Sequence, residues 1–271
     1  MGFQCLPVVD LHPIGRPPAR KMTDLLDCFE RIYVINLPER SDRRAEMAVQ
    51  LSRVGVSWDA RRVHLFPAIR PPDKGKFPSV GARGCFLSHL AVLKDAHGQG
   101  VESVLILEDD VDFSAHLSRD WPAVRDALNS APWSFFYGGY AVPTPPPTTP
   151  ATTWRIPPET AVQTAHFFAI KRDALGSLVA YLEAMLERTA GHIAGGPMHV
   201  DGAYSWFRGA NPMLLTLASV HQLGIQRASR TDIHDLRWFD RWRGVRGVAQ
   251  RLRRLLRWSR RLLERGSEEK I

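Results

Sequence analysis

An α/β fold with a central sheet is predicted by three observations. A β-branched and aromatic run, Arg31-Ile-Tyr-Val-Ile-Asn-Leu37, is stopped by Pro38 and followed by a helical pattern. A second helical pattern then leads into the apolar run Val104-Leu-Ile-Leu107, which ends in carboxylates. Strand, polar turn and helix in that order open a βαβ unit. The third observation is composition: 271 residues, 44% apolar and 24% charged, have the balance of a globular chain of one domain with appendages, and exclude disorder as a whole.

Residues 1–28 carry Pro7, Pro13, Pro17 and Pro18 without a sustained period, and read as an irregular N-terminal extension. After the first strand, Ser41 can cap a helix in which Met47, Leu51 and Val54 recur at helical spacing until Gly55. Gly81 to Gly84 gives a flexible lead into the helix Cys85–Leu93, with Phe86, Leu90 and Leu93 on one face. Trp133 to Tyr137 reads as a strand ending at Gly138-Gly139. Seven prolines in 142–158 argue against ordinary secondary structure there; a surface linker and an active-site lid are equally open. Thr164–Ile170 is a further strand, and Ala174–Leu186 a helix with Leu175, Leu178, Leu182 and Met185 on one face.

The cysteines Cys5, Cys28 and Cys85 form no CxxC pair, so neither a disulfide framework nor a zinc knuckle is expected. No apolar run approaches the roughly 20 residues of a membrane span, and the N-terminus has no signal-peptide block, so a cytoplasmic protein is expected. The net charge of +8 is a property of the C-terminus: residues 1–236 hold 24 basic and 24 acidic residues, whereas 237–265 hold 11 arginines against Asp240 and Glu264. The body therefore lacks the basic excess of a nucleic-acid binder. In the tail, Trp238, Trp242, Val245, Ala249, Leu252, Leu256 and Leu263 recur every three or four residues among arginines, a basic amphipathic helix suited to an anionic membrane surface, a partner or the core.

Glu108, Asp109, Asp110 and Asp112 follow the buried run within five positions. Open α/β sheets bind ligands beyond the carboxyl ends of their strands. Carboxylates crowded there repel one another unless a cation sits among them, and hard oxygen ligands select Mg²⁺ or Mn²⁺, with a diphosphate completing the shell. A solvated acidic turn is the plain alternative.

Four segments in order carry a family resemblance: Ile32-Tyr-Val-Ile-Asn-Leu-Pro-Glu-Arg-Ser-Asp-Arg-Arg44, Gly84-Cys-Phe-Leu-Ser-His-Leu90, Leu105-Ile-Leu-Glu-Asp-Asp-Val111, and Val200-Asp201 with the later Gln226-x-x-Ser229. Together they resemble glycosyltransferase family 25, which includes bacterial lipooligosaccharide galactosyltransferases and collagen galactosyltransferase domains. The sequence departs from the family's pattern at Ala82-Arg83, where the family usually has an acidic residue before the Gly-Cys motif, and in the Pro-rich insert after Gly139. The resemblance implies a GT-A type, Rossmann-like domain over 29–236 with a mostly parallel sheet, a UDP-sugar donor, Mn²⁺ or Mg²⁺, and a glycan or glycolipid acceptor. It implies galactose transfer with inversion, onto a lipopolysaccharide or similar surface glycan, at the cytoplasmic face of the inner membrane. A non-catalytic nucleotide-sugar or partner binder of the same fold is the alternative.

On that resemblance Asp110 is the foremost metal ligand, Glu108 serves the metal or the ribose, and Asp109 supports them; Asp112 is equally an ordinary helix-start residue. Asn36 and the backbone of Leu37 are expected at the uracil or ribose, Arg40 and Arg43 at the phosphates, and Ser88 and His89 in the donor pocket, although spacing alone makes His89 a core histidine. Asp201 is the candidate general base, or else an N-cap for a helix near Gly202. His199, His221 and His234 are open as a third metal ligand. Trp206 and Trp154 are open between sugar stacking and packing, and Cys85 reads as packing rather than a nucleophile.

Overall fold

The computed structural model describes residues 26–144, 146 and 150–227. The N-terminal extension apart from its last residues, the amphipathic tail, His234 and Ser229 lie outside the described residues. The element order is β1 (Arg31–Asn36), α1 (Ser41–Arg53), β2 (Val63–Pro67), α2 (Val80–Gly98), β3 (Ser103–Glu108), β4 (Val111–Phe113), α3 (Ala115–Ser130), β5 (Phe135–Ala141), β6 (Thr153–Ile156), β7 (Gln163–Lys171), α4 (Arg172–Glu187), α5 (Val200–Ala210), β8 (Thr216–Ser219) and β9 (Gly224–Gln226). No helix among the described residues is long and apolar enough to cross a membrane.

Seven strands form one sheet in the order β2-β1-β3-β7-β5-β8-β6, and β4 pairs with β9 in a two-stranded ribbon. The parallel sheet expected from the sequence holds for β2-β1-β3 and again for β5-β8. The other pairings, β3-β7, β5-β7 and β6-β8, are antiparallel, so the sheet is mixed.

Alternation along β3 explains the three-layer build. Val104 and Ile106 face α2, α4 and α5, where Phe86, Leu93, Leu178, Leu182, Ala203 and Tyr204 close one core. Leu105 and Leu107 face α1 and α3, where Met47, Leu51, Leu117, Trp121 and Val124 close the other. β3 is therefore buried on both faces, which is why its sequence runs apolar without alternation.

Several local expectations are corrected. Ser41 is the first residue of α1 rather than its cap; the cap position is Arg40, without a side-chain cap bond. Gly81 and Gly84 are not a flexible lead but lie inside α2, which starts earlier because the Ser79 side chain accepts from the Ala82 N–H at 3.0 Å. Gly138 and Gly139 lie within β5, not beyond it. The proline-rich stretch does contain a strand, β6, formed where Thr153 to Ile156 escape the prolines and pair with β8 at the sheet edge.

Candidate active site

Glu108 is the last residue of β3, and Asp109 and Asp110 form the turn into β4. Pleating sends successive side chains to opposite sides, so three adjacent carboxylates receive three environments. Asp109 turns toward α1: its Oδ2 accepts from Asn36 Nδ2 at 2.6 Å and its Oδ1 from Arg43 Nη1 at 2.8 Å. Glu108 turns toward α2, with Oε1 3.3 Å from His89 Nε2 and 3.9 Å from Cys85 Sγ. The other ring nitrogen of His89 lies 3.0 Å from the Tyr204 hydroxyl on α5, and the ring is fully buried. Asp110 is 3% exposed; its Oδ2 lies 3.8 Å from Arg43 Nη1 and 3.4 Å from Gln226 Nε2. Asp110 Oδ1 is buried without a hydrogen-bond partner.

The electrostatics follow from these placements. Burial, then the neighbouring charge of Glu108, pushes the Asp110 carboxyl up to about 7, with Arg43 only partly opposing. Burial also raises Asp109 despite its bonds to Asn36 and Arg43. Burial works to raise Glu108 as well, but the His89 hydrogen bond, with His89, His166 and Arg43 nearby, outweighs it and holds the carboxyl below its ordinary value. Burial and the adjacent Glu108, Asp201 and Asp110 carboxylates keep the Cys85 thiol well above its usual range, as befits packing and not a nucleophile.

An orphaned carboxylate oxygen out of water costs free energy, and a hard divalent cation is the group that offsets it. Asp110 therefore fits such a cation, with the Glu108 charge acting on it from nearby. Cys85, His89 and Glu108 also bring one ligand atom each within 4.8 Å. A thiol held protonated and an imidazole already engaged by Glu108 and Tyr204 make that a poorer set. Among the described residues, neither His199 nor His221 forms a three-residue ligand cluster with Glu108 or Asp110. His221 sits instead against Asp120 on α3.

One consequence is measurable without substrate. Because Asp110 has a folded-state pKa above that of an unfolded aspartate, its ionisation costs nothing below pH ~4, where both states are protonated; the cost grows as pH rises toward about 7 and is complete above. Metal-free Asp110→Asn is expected to unfold at a higher urea concentration than the parent at pH 8, with the difference shrinking by pH 5. A difference independent of pH would show that Asp110 is not strained by its burial.

The Gly84-Cys-Phe-Leu-Ser-His89 segment has a packing logic. A Cβ on Gly84 would sit 2.6 Å from the Ile69 carbonyl oxygen, so only glycine lets the segment after β2 lie on α2. Ser88 holds the same segment: its hydroxyl donates to the Gly84 carbonyl at 2.7 Å and accepts from the Ile69 N–H at 2.8 Å. Ser88 is thus committed internally, and of the pair only His89 meets the carboxylate cluster.

The first-strand residues are also turned inward. Asn36 is 2% exposed, donates to Asp109 and to the Arg40 carbonyl, and accepts from Arg44. Its amide thereby holds Asp109 in place. Arg43 is buried against Asp109. Arg40 is paired with Asp42 at 2.8 Å and is partly exposed. The Leu37 carbonyl accepts from the Arg40 N–H at 2.9 Å, closing the turn. Asp112 lies in β4, two residues before the Ser114 cap of α3, and is bound by Arg227 Nη2 at 2.6 Å and Gln50 Nε2 at 2.8 Å.

Asp201 lies in the first turn of α5, whose cap position is His199. Its Oδ2 accepts from the Thr164 N–H at 2.9 Å and its Oδ1 from the Gly202 N–H at 2.8 Å. Thr164 has φ +68°, an unusual conformation for a β-branched residue, and its hydroxyl is buried without a partner. Trp206 is substantially exposed on α5, whereas the Trp154 indole donates to the Tyr140 hydroxyl at 2.8 Å.

His166 escapes sequence reasoning. It precedes Phe167, the partner of Leu107 in the β3-β7 register, and the Glu108 charge is felt at its ring. Its Nε2 lies 3.1 Å from the Gly224 carbonyl and its Nδ1 is buried without a partner. Burial lowers its pKa, against the opposing pull of the Gly224 hydrogen bond and the Glu108 charge. A Cβ on Gly139 would fall 2.2 Å from His166 Nε2, and one on Gly138 2.7 Å from the Phe167 ring. The Gly-Gly pair inside a strand pattern was the available signal of a close approach.

Residues 29–138 match glycosyltransferase family 25 (LPS biosynthesis protein), which bears out the resemblance read from the first three motifs. The chain is 29% identical over 146 residues to the probable inactive glycosyltransferase 25 family member 3 of Bos taurus, covering 46% of this chain and 24% of that protein. It is 30% identical over 129 residues to procollagen galactosyltransferase 2 of Homo sapiens, covering 41% of this chain and 21% of that protein. The matched part thus spans about a quarter or less of those relatives' own length. A crystal structure of a glycosyltransferase involved in the glycosylation of the major capsid of PBCV-1 overlays with a TM-score of 0.45 at 12% identity, covering 74% of this chain and 93% of that one.

Proposed function

We propose that this chain is a metal-dependent glycosyltransferase that moves a hexose, galactose from UDP-galactose, onto a saccharide of a surface glycolipid such as lipopolysaccharide, with inversion. The observation that carries this reading is the orphaned Asp110 oxygen at the carboxyl end of the central strand, beside Glu108 and inside the segment that matches the family. The human relative is named a galactosyltransferase, which supports the choice of sugar.

In this reading Asp110 and Glu108 hold a Mn²⁺ or Mg²⁺ ion, which when bound supplies positive charge to the departing diphosphate. Arg43 and Asn36 fix Asp109 so that the turn holds its shape. His89 keeps Glu108 ionised and oriented. Asp201, held by two backbone N–H groups in the first turn of α5, takes the proton from the acceptor hydroxyl. Its charge is felt at Cys85, which itself touches Glu108, so the base and the carboxylate cluster share one neighbourhood.

The test is a thermal-shift panel of nucleotide sugars with Mn²⁺, followed by an assay of UDP release with lipooligosaccharide acceptor. A rise in midpoint with UDP-galactose and metal, and metal-dependent UDP release on adding acceptor, are expected. Binding without transfer would favour a non-catalytic sugar-nucleotide binder, a reading the bovine relative's name keeps in view. No response to any nucleotide sugar would remove both.

The acceptor's lipid places the enzyme at an anionic membrane on the cytoplasmic side, with the arginine- and tryptophan-bearing residues 237–265 as the contact. The full chain is expected to float with anionic liposomes and a chain ending at 236 to remain at the bottom. Equal recovery of the two would contradict this.

A further inference from the structure

Outside the carboxylate cluster, a second group of metal-ligating side chains gathers where α3 meets the segment between β8 and β9. His116 and Asp120 are four residues apart on α3 and so share one face of the helix. His221 comes from the β8–β9 connection, stacks on His116 with ring centroids 4.8 Å apart, and places Nδ1 2.9 Å from Asp120 Oδ2. One ligand atom from each of the three residues lies within 4.8 Å of the others.

The Arg119 guanidinium already lies against this group. Its Nε donates to Asp120 Oδ1 at 2.6 Å and its Nη2 to Oδ2 at 2.9 Å, while Nη2 also lies 3.2 Å from His221 Nδ1. That ring nitrogen carries either a proton or a lone pair. It can donate to Asp120 or accept from Arg119, but one of the two contacts is always unsatisfied. A cation without protons removes the conflict, because lone pair and carboxylate then face the same positive charge. The Arg119 side chain is largely exposed and His221 half-exposed, so water reaches this side of the group.

We propose that His116, Asp120 and His221 form a second metal site, taking a zinc-type divalent cation with water as the fourth ligand. Two imidazoles and a carboxylate suit Zn²⁺ better than the Mg²⁺ or Mn²⁺ favoured by oxygen ligands alone. The site fastens a segment that matters: Ser114 at the cap of α3 donates its N–H to the Leu223 carbonyl at 2.9 Å, and the Arg227 N–H donates to the Asp110 carbonyl at 2.7 Å. Zinc bound there ties α3 to the chain that carries Gln226 to Asp110. The site stands independently of the glycosyltransferase reading.

The experiment is titration of the metal-free full-length protein with Zn²⁺ by calorimetry and with Co²⁺ by visible absorbance. His116→Ala and His221→Ala are each expected to lose one equivalent of Zn²⁺ relative to the parent, together with the Co²⁺ band and the zinc-induced rise in thermal midpoint. Arg119→Gln, which removes the competing charge, is expected to bind Zn²⁺ about tenfold more tightly. Both histidines are at least partly accessible, so circular dichroism should show the variants folded. Unchanged stoichiometry in the two histidine variants, weaker binding in Arg119→Gln, or parental affinity poorer than about 0.1 mM would overturn the proposal.

Discussion

Asp110→Ala is expected to lower the rate of hexose transfer by about 10³-fold, corresponding to about 4 kcal/mol of lost transition-state stabilisation, because on the proposed reading it removes the metal's foremost protein ligand. The magnitude follows from what the residue does in this account: charge developing on a leaving diphosphate is met by a cation held in a site shielded from water. Asp112→Ala is the control. That carboxylate is spent on Arg227 and Gln50 in the β4-β9 ribbon, and the variant is expected to keep its rate within about tenfold. Steady-state UDP release at saturating donor and Mn²⁺ reads both. Equal losses in the two variants would mean that the acidic run acts as a diffuse negative surface and not through one carboxylate.

Arg43→Ala is expected to destabilise the fold by about 3–5 kcal/mol, among the largest effects of any single change described, because it leaves buried carboxylates without their cation. Arg43 is buried and reaches Asp109 at 2.8 Å and Asp110 at 3.8 Å. In the Arg43→Ala background, Asp109→Asn should recover part of the loss, since a neutral amide tolerates the site that an unpaired charge does not. Urea unfolding of the single and double variants gives the coupling directly. A loss below about 1 kcal/mol would mean that the pair is solvated in practice and contributes as a surface ion pair does.

The elements that the sequence made legible are those whose pattern is local and uninterrupted. β1 and β3 are apolar runs bounded by polar residues, and α4 shows its stripe of Leu175, Leu178, Leu182 and Met185, all buried. α3 was hidden by Pro122 in its interior, a residue that normally ends a helix; here Trp121 and Val124 anchor the helix on either side of it in the core. β2, β8 and β9 are strands of five residues or fewer, too short to declare a period, and they exist because neighbouring strands offer them partners.

The site divides in the same way. Glu108, Asp109 and Asp110 could be found because a buried strand that runs out into carboxylates is a local signal. Which of them faces which layer was not local. Asn36 and Arg43 carry the chemistry of nucleotide contacts, and the turn directs Asp109 toward α1, where both hydrogen-bond it. His89 and Ser88 are neighbours in sequence but part company on the helix, one meeting Glu108 and the other the Ile69 backbone. His166 comes within electrostatic range of Glu108 because β7 runs antiparallel beside β3, a neighbourhood of residues almost sixty positions apart.

The most direct test is anomalous diffraction from crystals grown with Mn²⁺ and UDP. The account predicts a manganese peak about 2.1 Å from an Asp110 carboxylate oxygen, bridged to the diphosphate at the end of β3. An ordered nucleotide diphosphate with no manganese at Asp110, or one bound elsewhere on the sheet, would contradict it.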